Sequence, residues 1–153
     1  MRFINKDLLE RWINDGAIIS DILISADFAR ILNELPWLAG HIDFKKIYSV
    51  SASMDIFLDD KKDLCYEKIN RWLEGLGGLY SEYIAFWYSE KQPSVICRKK
   101  YALENIDSAY WGVPGWNYMF GCTVDRGIVT PNYNEILCYD SSDTLFFLRP
   151  KII

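Results

Sequence analysis

The feature that most limits what this chain can fold into is the stretch Leu79–Leu103, LYSEYIAFWYSEKQPSVICRKKYAL. Its first half is dense in aromatic and β-branched side chains, which pack well on a pleated sheet. Alternation puts Tyr80, Glu82, Ile84, Phe86 and Tyr88 on one face, and Ser81, Tyr83, Ala85, Trp87 and Ser89 on the other. Both faces are largely apolar, so the reading is a central strand covered on both sides, with helices on at least one. Pro93 cannot donate to a ladder, which places Glu90-Lys91-Gln92-Pro93 in a turn. A return strand then runs from Ser94 to Ala102, alternating Val95, Cys97 and Lys99 with Ile96, Arg98 and Lys100.

Around this hairpin the chain offers helices early and strands late. Asn5 caps a helix to about Ile13, with Leu8, Leu9, Trp12 and Ile13 on one side and Gly16 as its stop. Ala17–Ile24 fits either a short strand or a helical start. A second helix is expected from about Ala26 to Glu34. Residues 36–41 form a connection with two large apolar side chains, Trp37 and Leu38, to bury. Phe44–Leu58 has strand character, broken by Ser49, Ser51 and Ser53. Asp59-Asp60 opens the clearest helix, in which Cys65, Ile69, Trp72, Leu73 and Leu76 recur with helical spacing until Gly75, Gly77 and Gly78 end it. Glu104–Thr123 reads as an ordered aromatic loop. Glu135–Tyr139 and Thr144–Leu148 read as strands around an Asp140–Asp143 turn. The expected fold is α+β: N-terminal helices packed on a mostly antiparallel sheet, as a single domain over residues 1–153.

Composition narrows the function classes. Hydrophobic residues make up 50% and charged residues 25%, the balance of a chain that folds. The net charge of −4 and the brevity of Arg98-Lys99-Lys100 argue against a nucleic-acid partner. No apolar run reaches the ~20 residues that span a bilayer, and the charged N-terminus does not read as a secretory signal. Scattered Cys65, Cys97, Cys122 and Cys138 fit reduced thiols, so a cytoplasmic location is expected.

No phosphate-binding glycine loop and no nucleophile elbow appears. His41 is the single histidine, too little for a His-based acid–base pair without a spatial partner, and a zinc site would need scattered ligands. The reading therefore assigns no catalytic residue, metal or cofactor. Asp55, Asp59, Asp60 and Asp63 lack calcium-loop spacing; they cap and complement a helix N-terminus and, with Glu67, form an acidic corner that can meet a basic partner. Trp111, Trp116 and Tyr118 sit in a Gly/Pro-rich segment that either covers the sheet or anchors an interface.

In size, acidity and aromatic richness over its whole length, the chain resembles the immunity proteins of bacterial contact-dependent inhibition and other polymorphic toxin systems. The resemblance implies a non-enzymatic protein that binds a cognate basic toxin domain, often a nuclease, and blocks it. It transfers no residue role. The candidate partner-binding residues, Asp55, Asp59, Asp60, Asp63, Glu67, Trp111, Trp116 and Tyr118, come from charge and aromaticity alone. The competing reading is a small-molecule-binding protein or enzyme, with the Trp111–Tyr118 loop lining a pocket that holds Glu82 or His41.

Overall fold

Backbone pairing in the computed structural model centres on that hairpin. The structure describes residues 6–38, 41–43, 46, 50–53, 62–77, 80–105, 118–139 and 145–148. They form, in chain order, α1 (Lys6–Asn14), β1 (Ile18–Ile19), α2 (Ile22–Glu34), β2 (Trp37–Leu38), β3 (His41–Ile42), β4 (Val50–Ser53) and α3 (Lys62–Gly75). After them come β5 (Tyr83–Trp87), β6 (Val95–Arg98), α4 (Lys99–Glu104), β7 (Tyr118–Asp125), β8 (Ile128–Tyr139) and β9 (Leu145–Leu148). Seven strands make one open antiparallel sheet in the order β1-β6-β5-β7-β8-β9-β4, and β2 and β3 pair separately. This is the expected α+β architecture.

β5 is central and buried on both faces, as its alternation implies. Ile84 and Phe86 face α1, α3 and α4, meeting Trp12, Ile69, Leu73 and Leu103. Ala85 faces α2 with Ile96, Phe120 and Ile136, against Phe28, Ile31 and Leu32. The two early helices thus lie on opposite faces. Phe28 stacks on Phe120 with ring centroids 4.1 Å apart, and Trp12 tilts against Phe86 at 5.2 Å. Each large fully buried side chain contributes about 1.5–3 kcal/mol, so the two layers hold the sheet in common.

Several expectations need correction. The ambiguous Ala17–Ile24 is strand and then helix: α2 starts at Ile22, a turn before Ala26, because Asp21 Oδ1 accepts from the Leu23 N–H at 2.9 Å and caps it. The return strand stops at Arg98. The Lys99 N–H bonds Glu82 O at 2.8 Å, and the helix-forming run Lys99–Glu104 turns so that Ala102 and Leu103 enter the core together. Trp37 and Leu38 are not buried but 41% and 57% exposed; their ladder partner Ile42 is buried instead. β4 runs through the serines expected to break it, since main-chain pairing with β9 needs no apolar side chain. Tyr118–Thr123 is strand rather than loop, with Met119, Phe120 and Cys122 fully buried.

β8 begins at Ile128, well before the expected Glu135, and joins β7 through Arg126 and Gly127 at φ of 52° and 80°. Both positive values match the tight hairpin turn that suits strand twist. The proposed cap Asn5, the stop Gly78, the helix opening at Asp59-Asp60 and the Asp140–Asp143 turn lie outside the described residues.

Candidate functional site

α2 presents two main-chain carbonyls, on Ser25 and Leu32, from its buried side. The Trp87 indole N–H donates to Ser25 O at 2.9 Å, and the Trp37 indole N–H donates to Leu32 O at 2.7 Å. Seven residues at 1.5 Å each set these carbonyls about 10 Å apart along the helix axis. Between the indoles stands Tyr118, the β7 residue paired with Trp87. Its ring lies 6.0 Å from Trp87 at 63° and 6.3 Å from Trp37 at 71°, both edge-on contacts. Tyr118 and Trp87 are half-buried, while Trp37 and its neighbour Leu38 project to solvent. Burial first, then the Cys138 thiol, pushes the Tyr118 phenol up to about 12, so it stays a neutral hydroxyl. The exposed side of α2 carries Asp27, held by Arg30 at 3.2 Å, and Glu34. The result is an aromatic ridge with pinned indoles beside an acid-bearing helix.

Of the residues singled out from sequence, Tyr118 belongs to this ridge. Glu67 is exposed on α3, the helix that packs through Ile69 and Leu73 on the opposite face of the sheet. There Glu67 and Glu74 alternate with the exposed cations Lys68 and Arg71, so that surface is mixed in sign. Asp63 falls in the first turn of α3, and its side chain lies outside the described residues. Asp55, Asp59, Asp60, Trp111 and Trp116 also lie outside them. The structure therefore brings Tyr118 together with Trp37 and Trp87, and not with Glu67.

Two further places hold polar groups. An open cavity of about 300 Å³ between α1 and α4 is lined by residues including Asp15, Ala17, Cys97, Tyr101 and Glu104. The Tyr101 hydroxyl donates to Asp15 Oδ2 at 2.7 Å, and Lys100 pairs with Glu104 at 3.6 Å. Burial, then that bond to Asp15, raises the Tyr101 pKa above its ordinary range. Glu82 is exposed and is not among the described lining residues, and the side chain of His41, in β3, lies outside the described residues.

The second place is Glu135, a 2% exposed carboxylate that the sequence reading did not single out. The β7–β8 register jumps from Phe120↔Ile136 to Gly121↔Asn132, and this irregularity aims Glu135 at the start of β5. Its Oε2 accepts from the Tyr80 N–H at 2.7 Å. Its Oε1 accepts from the Ser81 N–H at 3.0 Å, the Ser81 hydroxyl at 2.6 Å and the Asn132 amide at 2.6 Å. Ser81 is 2% exposed, so this hydroxyl–carboxylate pair is closed to a substrate and acts as a clasp. No local pattern announces it, because Ser81 and Glu135 are 54 residues apart.

The thiols of Cys97, Cys122 and Cys138 are buried. Burial pushes the Cys97 and Cys122 thiols up to about 12, with Cys122 adding to the effect on Cys97. Among the described residues, no group of three His, Cys, Asp or Glu is placed to hold a metal ion, and no helix is long and apolar enough to cross a membrane.

Fold and site together define an α+β protein that presents an aromatic ridge on the α2 face of its sheet. Comparison with protein-family models, curated proteins and solved structures finds no match to the chain.

Proposed function

We propose that this chain is a non-catalytic protein-binding inhibitor: an immunity protein that neutralises a cognate bacterial toxin domain, such as a nuclease, in the cytoplasm. The observation that carries the reading is the exposure of Trp37 and Leu38 beside Tyr118. Trp and Tyr are enriched at the anchoring centre of interfaces, where a few such residues supply most of the binding energy. The net charge of −4 favours a basic partner, whose Lys and Arg side chains meet carboxylates at the rim. Tyr118 belongs to the anchor, and Asp55, Asp59, Asp60, Asp63 and Glu67 are the further carboxylates of the proposal, with Trp111 and Trp116 as additional anchors.

The test is co-expression with the toxic domains encoded beside the gene. Relief of toxicity and a stoichiometric complex support the reading, with Trp37→Ala weakening the complex by about tenfold, the usual cost of losing an aromatic anchor. Asp59→Lys with Asp60→Lys weakens it as well if the acidic corner meets the toxin. Failure to relieve any neighbouring toxin overturns the proposal. A second reading, binding of a small molecule, is favoured by the cavity at Asp15 and Tyr101 and would show as a metabolite retained in native mass spectrometry.

A further inference from the structure

The aromatic residues on the α2 face of β5 are treated differently by the chain itself. Tyr83 already carries a cation: the Arg98 guanidinium lies 5.3 Å from its ring centroid. Trp87, four residues along the same face, forms with Tyr118 and Trp37 a ridge over which, among the described residues, no Lys or Arg is placed. Both indole N–H groups are spent on α2 carbonyls, so what Trp37 presents to solvent, at 41% exposure, is ring and not donor. Indole is the ring that attracts a cation most strongly, more so when the cation is partly desolvated. Nearby, Glu34 on the exposed side of α2 supplies negative charge, while Arg30 is engaged by Asp27.

Building on the partner-binding reading, we propose that the Trp37–Tyr118–Trp87 ridge is a cation-accepting surface that receives a guanidinium or ammonium side chain of the basic partner. The inserted cation repeats, between molecules, the Arg98–Tyr83 contact that the fold makes within itself. Tyr118 sets the spacing between the two indoles, and Glu34 provides long-range attraction without direct contact. The surface prefers guanidinium over a neutral group of equal shape because the attraction is to charge.

The probe is a capped short peptide with Arg at its centre, compared with the identical peptide carrying citrulline there. Both are titrated at low salt and followed by tryptophan fluorescence and by the indole N–H resonances of Trp37 and Trp87. The Arg peptide is expected to give saturable shifts at both indoles, with the citrulline peptide binding roughly three- to thirtyfold more weakly, the range cation–π contacts allow. Trp37→Leu is expected to remove that preference, whereas Trp37→Phe keeps part of it. Trp37 is half-exposed, so neither variant threatens folding. Equal binding of the two peptides, or no saturable shift at these indoles, overturns the cation assignment. Neutralisation of a toxin in the co-expression test is read separately, so a ridge that ignores cations leaves the inhibitor reading standing, and a cation-binding ridge without any neutralised toxin removes that reading alone.

Discussion

Removing the Glu135 carboxylate is the sharpest probe of how this fold is tied together. The side chain accepts four hydrogen bonds at 2.6–3.0 Å, two of them from the buried Ser81 N–H and hydroxyl. In Glu135→Ala these four hydrogen bonds are lost, while the Asn132 amide keeps its bond to Ser81 Oγ at 3.3 Å. The Tyr80 N–H and the Asn132 amide are partly open to water, so the main loss is at Ser81, where each stranded buried donor costs about 1–3 kcal/mol. Removing a buried charge recovers part of its desolvation, which leaves a net cost of about 3 kcal/mol. For a domain of this size that lowers Tm by about 10 °C. Glu135→Gln keeps Oε1 for Ser81 but turns an amide donor toward the Tyr80 N–H, so its cost is smaller, about 1–2 kcal/mol. Urea denaturation followed by tryptophan fluorescence measures both. A Glu135→Ala midpoint equal to wild type would refute the clasp, and so would a Gln variant less stable than the Ala variant.

Gly121 stands where a Cβ would lie 2.6 Å from Ser81 Oγ and 3.0 Å from Glu135 Cβ, so Gly121→Ala is expected to destabilise by about 2 kcal/mol. A double-mutant cycle in urea should then show Gly121→Ala costing less in a Ser81→Ala background, because the closest clash is gone. Raising the pH should weaken the fold between about 9 and 12: Cys97 and Cys122 keep their protons up to about 12 when folded, while the unfolded thiols release theirs near their ordinary 9.0, and Tyr118 acts the same way from 10.0 upward. Their stabilising effect is complete below pH 9, so a denaturation midpoint that stays flat or rises from pH 9 to 12 would contradict the burial of these groups. Arg126→Asn should raise stability by about 0.5 kcal/mol, since Asn tolerates the φ of 52° better than Arg; a loss in thermal denaturation would mean that the Arg126 side chain has a role of its own.

How much of this was legible follows from where each signal resides. The two-sided burial of β5 is written locally, because alternation alone sorts Ile84 and Phe86 from Ala85. The amphipathic faces of α1 and α3 are written the same way, in Trp12 and in Ile69 with Leu73. β7 was hidden because its strand residues follow a Gly- and Pro-rich run, and Gly121 reads as one more turn residue. It is in fact a strand glycine that admits Ser81, a contact between distant segments. The Asp125-Arg126-Gly127 turn left a signal in its glycine that could have extended β8 back to Ile128. Tyr118 was found by its aromaticity, whereas its partners were not. Trp87 looked like core, and Trp37 was expected to be buried because a large apolar side chain normally is.

Why Trp37 escapes burial is a matter of dimensions. Among the described residues, three helices share one face of the sheet, and α2 with the small β2–β3 ribbon serves the other. A helix of 13 residues is about 20 Å long, while seven strands spaced at about 4.8 Å span about 29 Å. Among the described residues one helix does not span such a sheet, and Tyr83, Trp87, Tyr118, Val124, Val129 and Phe146 are half-buried on that face. Solubility alone would be served by polar side chains along this half-buried strip. The chain instead places two indoles and a phenol there and fixes both indoles to α2 carbonyls. Fixing costs side-chain entropy before any partner arrives, and a surface ordered in advance binds with less to lose. The α2 face is therefore the place where this fold's geometry and its proposed function meet.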